Sequence, residues 1–339
     1  MLITGGAGFI GSRLVRRCVS RGDEVTVLDD LSRAGSFERV RWLQDEFGRD
    51  SFQFVEASVT ESDRVGRLCQ DRDIVAHLAG QVAVTESLRN PRTDFEANLL
   101  GTLNLLEGVR HGAPEAVFLH ASTNKVYGAL SHLRVEEAPT RYHLPERPDG
   151  IAESEPFDPH TPYGCSNAAA DLYALDYARV YGLRTVVFRQ SCIYGPGQLG
   201  SEDQGWVAWL LRAALRRELV TIFGDGKQVR DLLHVEDLLD AYDAACAAIE
   251  RSAGRAYNVG GGPDASFSVW NEFRDTLSEL AGAEPPVRFE AWRSGDQRIY
   301  VSDTRRAASE LGWHPRVPLS EGLKQLRQWL TERAFSAAQ

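Results

Sequence analysis

Thr4-Gly5-Gly6-Ala7-Gly8-Phe9-Ile10-Gly11 is the stretch on which the reading of this chain turns. It follows the short apolar run Leu2-Ile3 and precedes a helical pattern over 12–21, in which Leu14, Val15, Cys18 and Val19 share one stripe. Gly5 permits a tight turn, Gly8 lets the backbone approach a diphosphate, and Gly11 lets helix and strand pack closely. The start of the helix, with the main chain of Phe9 and Ile10 leading into it, then offers free N–H groups and a positive dipole end to the phosphates. Asp29 closes the next apolar run. An acid there binds the adenosine ribose hydroxyls and repels a 2′-phosphate, which favours NAD over NADP. Asp30 and Ser32 continue the same loop. By themselves the glycines are an ordinary turn and Asp29-Asp30 a solvated pair; the strand–turn–helix order makes them a dinucleotide site.

Outward from this motif, the first half alternates apolar runs with helical patterns. Strands are predicted at 2–4, 24–28, 52–56, 74–78, 117–121 and 184–189, and a long helix over 162–181. Thr161 suits the cap of that helix, Pro162 its first position and Gly182 its stop. Beyond 189 the rhythm weakens to Gly- and Pro-punctuated loops, with a helix predicted over 232–250. The expected fold is α/β, a doubly wound parallel sheet (Rossmann) with a smaller C-terminal substrate-binding lobe. The boundaries are 1–188 plus about 232–260 for the nucleotide domain, 189–231 and 261–335 for the lobe, and a loose tail over 335–339.

Composition narrows the function. A chain of 339 residues, 43% hydrophobic and 25% charged, has material for two globular domains. Its net charge of −10 repels a phosphate backbone, which argues against nucleic-acid binding. No apolar run reaches membrane-spanning length, and the strand-like start leaves no room for a signal peptide. Five cysteines without C-x-x-C spacing read as reduced thiols, and eight dispersed histidines give no metal site. The expected location is the cytoplasm.

The remaining suggestive residues fall at the carboxyl ends of the predicted strands, where ligands sit in an open parallel sheet. Gly5 to Gly11, His77-Leu78-Ala79-Gly80, Asn98, Ser122-Thr123 and Tyr163 together resemble the successive motifs of the extended short-chain dehydrogenase/reductase family, the NAD-dependent epimerases and dehydratases. The stretches 121–128, 162–166, 203–207, 226–231 and 296–298 are similar to its branch that epimerises CDP-linked dideoxyhexoses at C2. The resemblance runs over nearly the whole chain. It implies NAD as cofactor, held by Gly5, Gly8, Phe9, Ile10, Gly11, Asp29, Asp30, Ser32, Ser58, Val59, Leu78, Ala79, Gly80, Asn98, Tyr163 and Asn167. It implies a nucleotide-sugar substrate met by Ser122, Thr123, Asn124, Gln190, Gln204, Arg230 and Arg298, arginine suiting phosphate through its planar fork. Tyr163 is the implied general base, and Thr123 with Ser122 hydrogen-bonds the reacting oxygen. A homodimer or homotetramer packed through helices near 94–110 and 163–181 is implied as well.

Two positions depart from the family. Its Tyr-x-x-x-Lys is Tyr163-Gly164-Cys165-Ser166-Asn167 here. Position 167 shares a helix face with Tyr163, and asparagine replaces the hydrogen bond of a lysine but not its charge. An unshifted tyrosine with pKa near 10 is ionised in roughly one molecule in a thousand at pH 7. A cation about 4 Å away contributes on the order of 4 kcal/mol at an intermediate dielectric. The second departure is Ser58-Val59 where relatives carry an aspartate on the adenine. Three readings stay open: an altered but active epimerase, with Lys125 a weak substitute cation; a nucleotide-sugar dehydratase; and a protein that binds NAD and sugar nucleotide without turnover. Against dehydration, Asn124 and Lys125 stand where dehydratases carry an acid pair.

Overall fold

Seven strands build the central sheet: β1 (Leu2–Thr4), β2 (Thr26–Asp29), β3 (Gln53–Glu56), β4 (Ile74–His77), β5 (Val117–Thr123), β6 (Arg184–Gln190) and β7 (Arg255–Val259), in the order β7-β6-β5-β4-β1-β2-β3. β1 pairs in parallel with β2 on one side (Leu2 opposite Thr26) and with β4 on the other (Leu2 opposite Val75). The chain therefore moves one way from β1 to β3 and the other way from β4, and the reversal opens a crevice beyond the carboxyl ends of β1 and β4. This computed structural model describes residues 1–293 and 295–336.

The connections are helices α1 (Phe9–Arg21), α2 (Ser36–Phe47), α3 (Ser62–Leu68), α4 (Val84–Arg89), α5 (Pro91–Phe95), α6 (Gly101–Gly112) and α7 (Thr161–Tyr181). α1 ends as its sequence dictates, with Gly22 left-handed (φ 84°) and donating to Val19 O and Asp23 donating to Cys18 O. Thr161 caps α7 through its hydroxyl, which accepts from Gly164 N at 3.4 Å. Between α5 and α6 the chain winds through a π-helical turn, Glu96–Leu100. Apolar faces of α3 and α6, with Val65, Leu105, Leu106 and Val109, close over Leu2, Leu28, Val75 and Phe118 of the sheet. β1 is buried at every residue, which is why it reads as an unbroken apolar run.

The chain divides into two compact units: Met1–Val126, Thr161–Arg189 and Tyr242–Tyr257 form the first; Tyr127–His160, Gln190–Ala241 and the chain from Asn258 onward form the second. The segment Tyr127–His160, read from sequence as part of the nucleotide domain, thus groups with the second unit. Its hairpin, Glu136–Glu137 against Tyr142–His143, has strands of two residues, too short to leave a periodic signal. In the second unit the strand Val229–His234 pairs in parallel with Cys192–Tyr194 and Ile299–Tyr300, and antiparallel with Ser266–Ser268. The helix predicted over 232–250 accordingly begins only at Val235, because Leu232, Leu233 and His234 are ladder residues. An apolar run satisfies either period, and the partner strands decide it. Leu210, Leu211, Phe273, Leu277 and Leu326 form this unit's core. The helix Leu319–Ser336 takes up the first two residues of the predicted tail, and 337–339 lie outside the described residues. No helix among the described residues is long and apolar enough to cross a membrane.

Candidate active site

The glycine turn is as crowded as its spacing suggests. Gly5 has φ 69°, and a Cβ there would stand 2.6 Å from Ala79 N; a Cβ on Gly11 would stand 2.1 Å from Gly5 O. Gly8 donates to Gly5 O at 2.9 Å and caps α1 in an extended conformation without a side-chain acceptor. The first N–H groups of α1, beginning at Phe9 and Ile10, are thus left to an anion. The Asp29 carboxylate accepts from Ala7 N at 3.0 Å and from Leu31 N at 2.9 Å, tying the glycine turn to the loop after β2. Burial raises its pKa, and these two amides oppose the rise. Asp30 is held locally, its Oδ1 accepting from Ser32 N and Ser32 Oγ. Ser58 donates its N–H to Glu61 and shares a hydrogen bond with Thr60, while Val59 packs where Gly101 leaves room for it. Tight turn, uncapped helix start and acid at the end of β2 fit a dinucleotide, and these residues would hold one.

Beside this seat runs a chain of hydrogen bonds whose direction can be read. Thr102 Oγ1 donates to Asn98 O at 2.5 Å, so it must accept from His77 Nε2 at 3.0 Å. His77 Nδ1 is then the acceptor for Thr4 Oγ1 at 2.8 Å, which leaves Thr4 to accept from Ala79 N at 3.2 Å. Burial, with His120 as neighbour, pushes His77 well below its ordinary pKa, consistent with a neutral ring. Leu78 N donates to Thr4 O at 3.1 Å, so the loop after β4 hangs on β1 throughout. Asn98, set by the π-helical turn, accepts from Gln81 N at 2.8 Å and donates to Asp94 and Ser166, both at 3.2 Å. A Cβ on Gly80 would meet its Oδ1 at 2.7 Å.

Tyr163, in the first turn of α7, is half-buried, with Thr123 at the end of β5 near enough for its hydroxyl to act on the phenol. Burial raises its pKa; Thr123 lowers it, the Asp94 charge raises it, and Arg33 lowers it. Arg33, on the loop after β2, is the cation whose charge favours the ionised phenol, and its effect is the smallest of the four. Asn167 turns its Nδ2 back to Tyr163 O at 2.9 Å, an i−4 bond within α7. Four residues further along the same face, buried Asp171 accepts from Ser122 Oγ at 2.9 Å and from Arg189 through two bonds, at 2.9 and 3.0 Å. The Ser122 hydroxyl is thereby committed below the site, bracing the strand end that presents Thr123. Asn124 is buried at the start of a 3-10 turn, and Lys125 N donates to Thr123 Oγ1 at 3.3 Å. Sequence reasoning missed Asp94, Asp171 and Arg189, whose roles arise only through partners distant in the chain.

The other residues expected to meet substrate belong to the second unit. Arg230 points two of its donors at Val229 O (2.7 Å) and Gln297 O (2.8 Å). The Arg298 guanidinium lies over the ring of Tyr142, 5.5 Å from its centroid. Gln190 is buried beside Ser191, whose hydroxyl bonds buried Asp231, and Gln204 pairs with Ser201 in an isolated bridge. Asp231 also accepts from Gly262 N and Ser302 N, so it pins three segments rather than facing outward. Trp206 packs edge-on against Phe273, a core contact. All five cysteines are free, and among the described residues no group of three or more His, Cys, Asp and Glu is placed to hold a metal.

With this geometry the comparisons agree. Residues 1–260 match the NAD dependent epimerase/dehydratase family. The CDP-paratose 2-epimerase of Salmonella typhi is 41% identical over 97% of this chain and 98% of its own length. Among solved structures, the UDP-glucose 4-epimerase of Thermotoga maritima with UDP-glucose superposes with a TM-score of 0.82 at 33% identity, over 98% of this chain and 99% of that one. The dTDP-glucose 4,6-dehydratase DesIV of Streptomyces venezuelae, with NAD and TYD bound, gives 0.84 at 29%, over 98% of both chains. The chain belongs to the NAD-dependent epimerase/dehydratase family of the extended short-chain dehydrogenase class, and its cofactor is NAD.

Proposed function

We propose that this protein is a cytoplasmic nucleotide-sugar 2-epimerase acting on a CDP-linked dideoxyhexose. The observation that carries the reading is the Thr123–Tyr163 pair beside the dinucleotide seat, with the uncharged Asn124 following the threonine. The 41% identity to a CDP-paratose 2-epimerase supports the substrate class. The bound dinucleotide supplies reversible hydride acceptance. Tyr163 would take the proton of the sugar hydroxyl as the keto sugar forms and give it back to the same oxygen as the carbonyl is reduced, with Thr123 holding that oxygen and Arg230 and Arg298 binding the diphosphate. Hydride given back to the opposite face would invert the carbon. Assembly as a homodimer or homotetramer is supported by Leu172 (55% exposed) and Tyr181 (49%) on α7.

A second reading is binding without turnover. It is favoured by Asn167, which brings no charge and donates from Nδ2 to Tyr163 O of its own helix. Incubation with CDP-paratose in deuterated water, followed by NMR, separates the possibilities. From CDP-paratose, the 2-epimer without solvent deuterium supports epimerisation through hydride transfer; a 4-keto-6-deoxy product from a CDP-hexose that keeps its 6-hydroxyl, incubated in parallel, means dehydration; and unchanged sugar with retained binding means the second reading. Burial raises the tyrosine pKa and no lysine opposes it, so turnover is expected to be slow at neutral pH and to rise in alkali. Asn167→Lys should raise the neutral rate about 10- to 100-fold, one to two pKa units. An enzyme fully active at pH 7 and indifferent to Asn167→Lys would remove position 167 from the mechanism.

A further inference from the structure

The hairpin Glu136–Glu137/Tyr142–His143 has no part in the scheme above, yet one of its side chains touches the phosphate-binding machinery of its own unit. Tyr142 is 4% exposed and fixed at several points. Its hydroxyl donates to Asp225 Oδ2 at 2.5 Å and its N–H to Lys227 O at 3.3 Å. Asp225 is itself set by Lys227 N at 2.9 Å, and Lys227 Nζ holds Glu137 of the facing strand at 2.7 Å. The ring therefore has no freedom to turn, and its face carries the exposed guanidinium of Arg298. Burial and Asp225 push the phenol pKa up to about 12, so the hydroxyl remains a neutral donor across the working range.

A free arginine samples many rotamers and loses that freedom on gripping a phosphate. A rigid aromatic face within 6 Å restricts it beforehand while leaving the fork's donors available. We propose that Tyr142 is a positioning residue, its ring holding the Arg298 guanidinium in the orientation that receives the substrate's diphosphate. The inference rests on the assignment of Arg298 to that diphosphate. It adds a determinant of substrate affinity outside the residues that touch substrate.

Calorimetry with cytidine 5′-diphosphate and steady-state kinetics on the full chain test it. Tyr142→Leu should weaken diphosphate binding and raise KM about five-fold, or about 1 kcal/mol, with kcat unchanged. Tyr142→Phe keeps the ring and should stay within about two-fold of the parent. In an Arg298→Ala background, Tyr142→Leu should cost nothing further, because the two act as one. Should Tyr142→Leu fail to melt cooperatively, Tyr142→Met fills the volume without an aromatic face and carries the same expectation. Parent-like binding by the leucine or methionine variant, a phenylalanine variant as weak as leucine, or an undiminished loss in the alanine background would each overturn the proposal. If Arg298→Ala alone leaves diphosphate binding intact, the assignment of Arg298 fails first and takes the role of Tyr142 with it.

Discussion

The two units hold their functional side chains by different means. In the first, the dinucleotide seat is made by backbone: Gly5 and Gly11 without room for a Cβ, an uncapped helix start, and an aspartate anchored by two amides. In the second, Arg230 is steadied by the main-chain carbonyls of Val229 and Gln297 and Arg298 by one aromatic ring. Backbone seats admit one occupant shape and tolerate little change. Long side chains on borrowed supports are more easily re-aimed, which suits a family whose members share NAD and differ in the nucleotide sugar.

This contrast can be broken by experiment. The largest effect belongs to the chemistry of the first unit: Tyr163→Phe should lower kcat by about 10²- to 10⁴-fold, as expected for loss of a general base, with nucleotide-sugar affinity kept. Comparable damage to affinity would mean that chemistry and binding are not divided as described. Gly11→Ala comes next. Its Cβ meets a carbonyl that cannot step aside, so the fold should lose about 3 kcal/mol and NAD uptake should fall below detection by calorimetry. Near-normal uptake would show that the turn yields.

Acid is the gentlest probe. His120 is fully enclosed, with neither ring nitrogen hydrogen-bonded, and burial pushes it down to about 4 against the opposing pull of Asp171. His77 is depressed as well, by burial and by His120. Both are neutral in the fold, so the unfolded chain binds the extra protons once pH drops below about 6.5, and stability is lost from there downward. His120 alone should remove on the order of 3 kcal/mol by pH 4. Urea unfolding at pH 7, 5.5 and 4 measures the slope, and His120→Phe should flatten it. An unchanged slope would place the acid sensitivity elsewhere.

How far the sequence discloses all this depends on the range over which each feature is encoded. The glycine turn, Asp29, α1 and α7 are local, and their periods and caps are visible within a dozen residues. β7 carries no local mark: Arg255–Val259 follows a short helix and does not alternate apolar with polar residues. Leu232 to His234 read as helix because only their neighbours across the ladder make them strand. The brace on Ser122 joins β5, α7 and β6, and Tyr142 meets Arg298 from a hairpin far away in the chain. Neither residue type announces a partner. Asn167 was legible as a missing charge, but not the return of its amide to Tyr163 O.

The run of hydrogen bonds from Ala79 through Thr4, His77 and Thr102 to Asn98 has a polarity, and this constrains descent. Every link donates in the same sense, so none of the three interior side chains, Thr4, His77 and Thr102, can be exchanged for a group that only accepts or only donates without stranding a neighbour; Ala79 and Asn98 contribute main-chain atoms. Thr4→Ser or Thr102→Ser preserves the sense of the thread, whereas valine at either place cuts it. Related sequences are thus expected to keep positions 4, 77 and 102 as a block, while 79 and 98, whose links run through the main chain, are not bound by it.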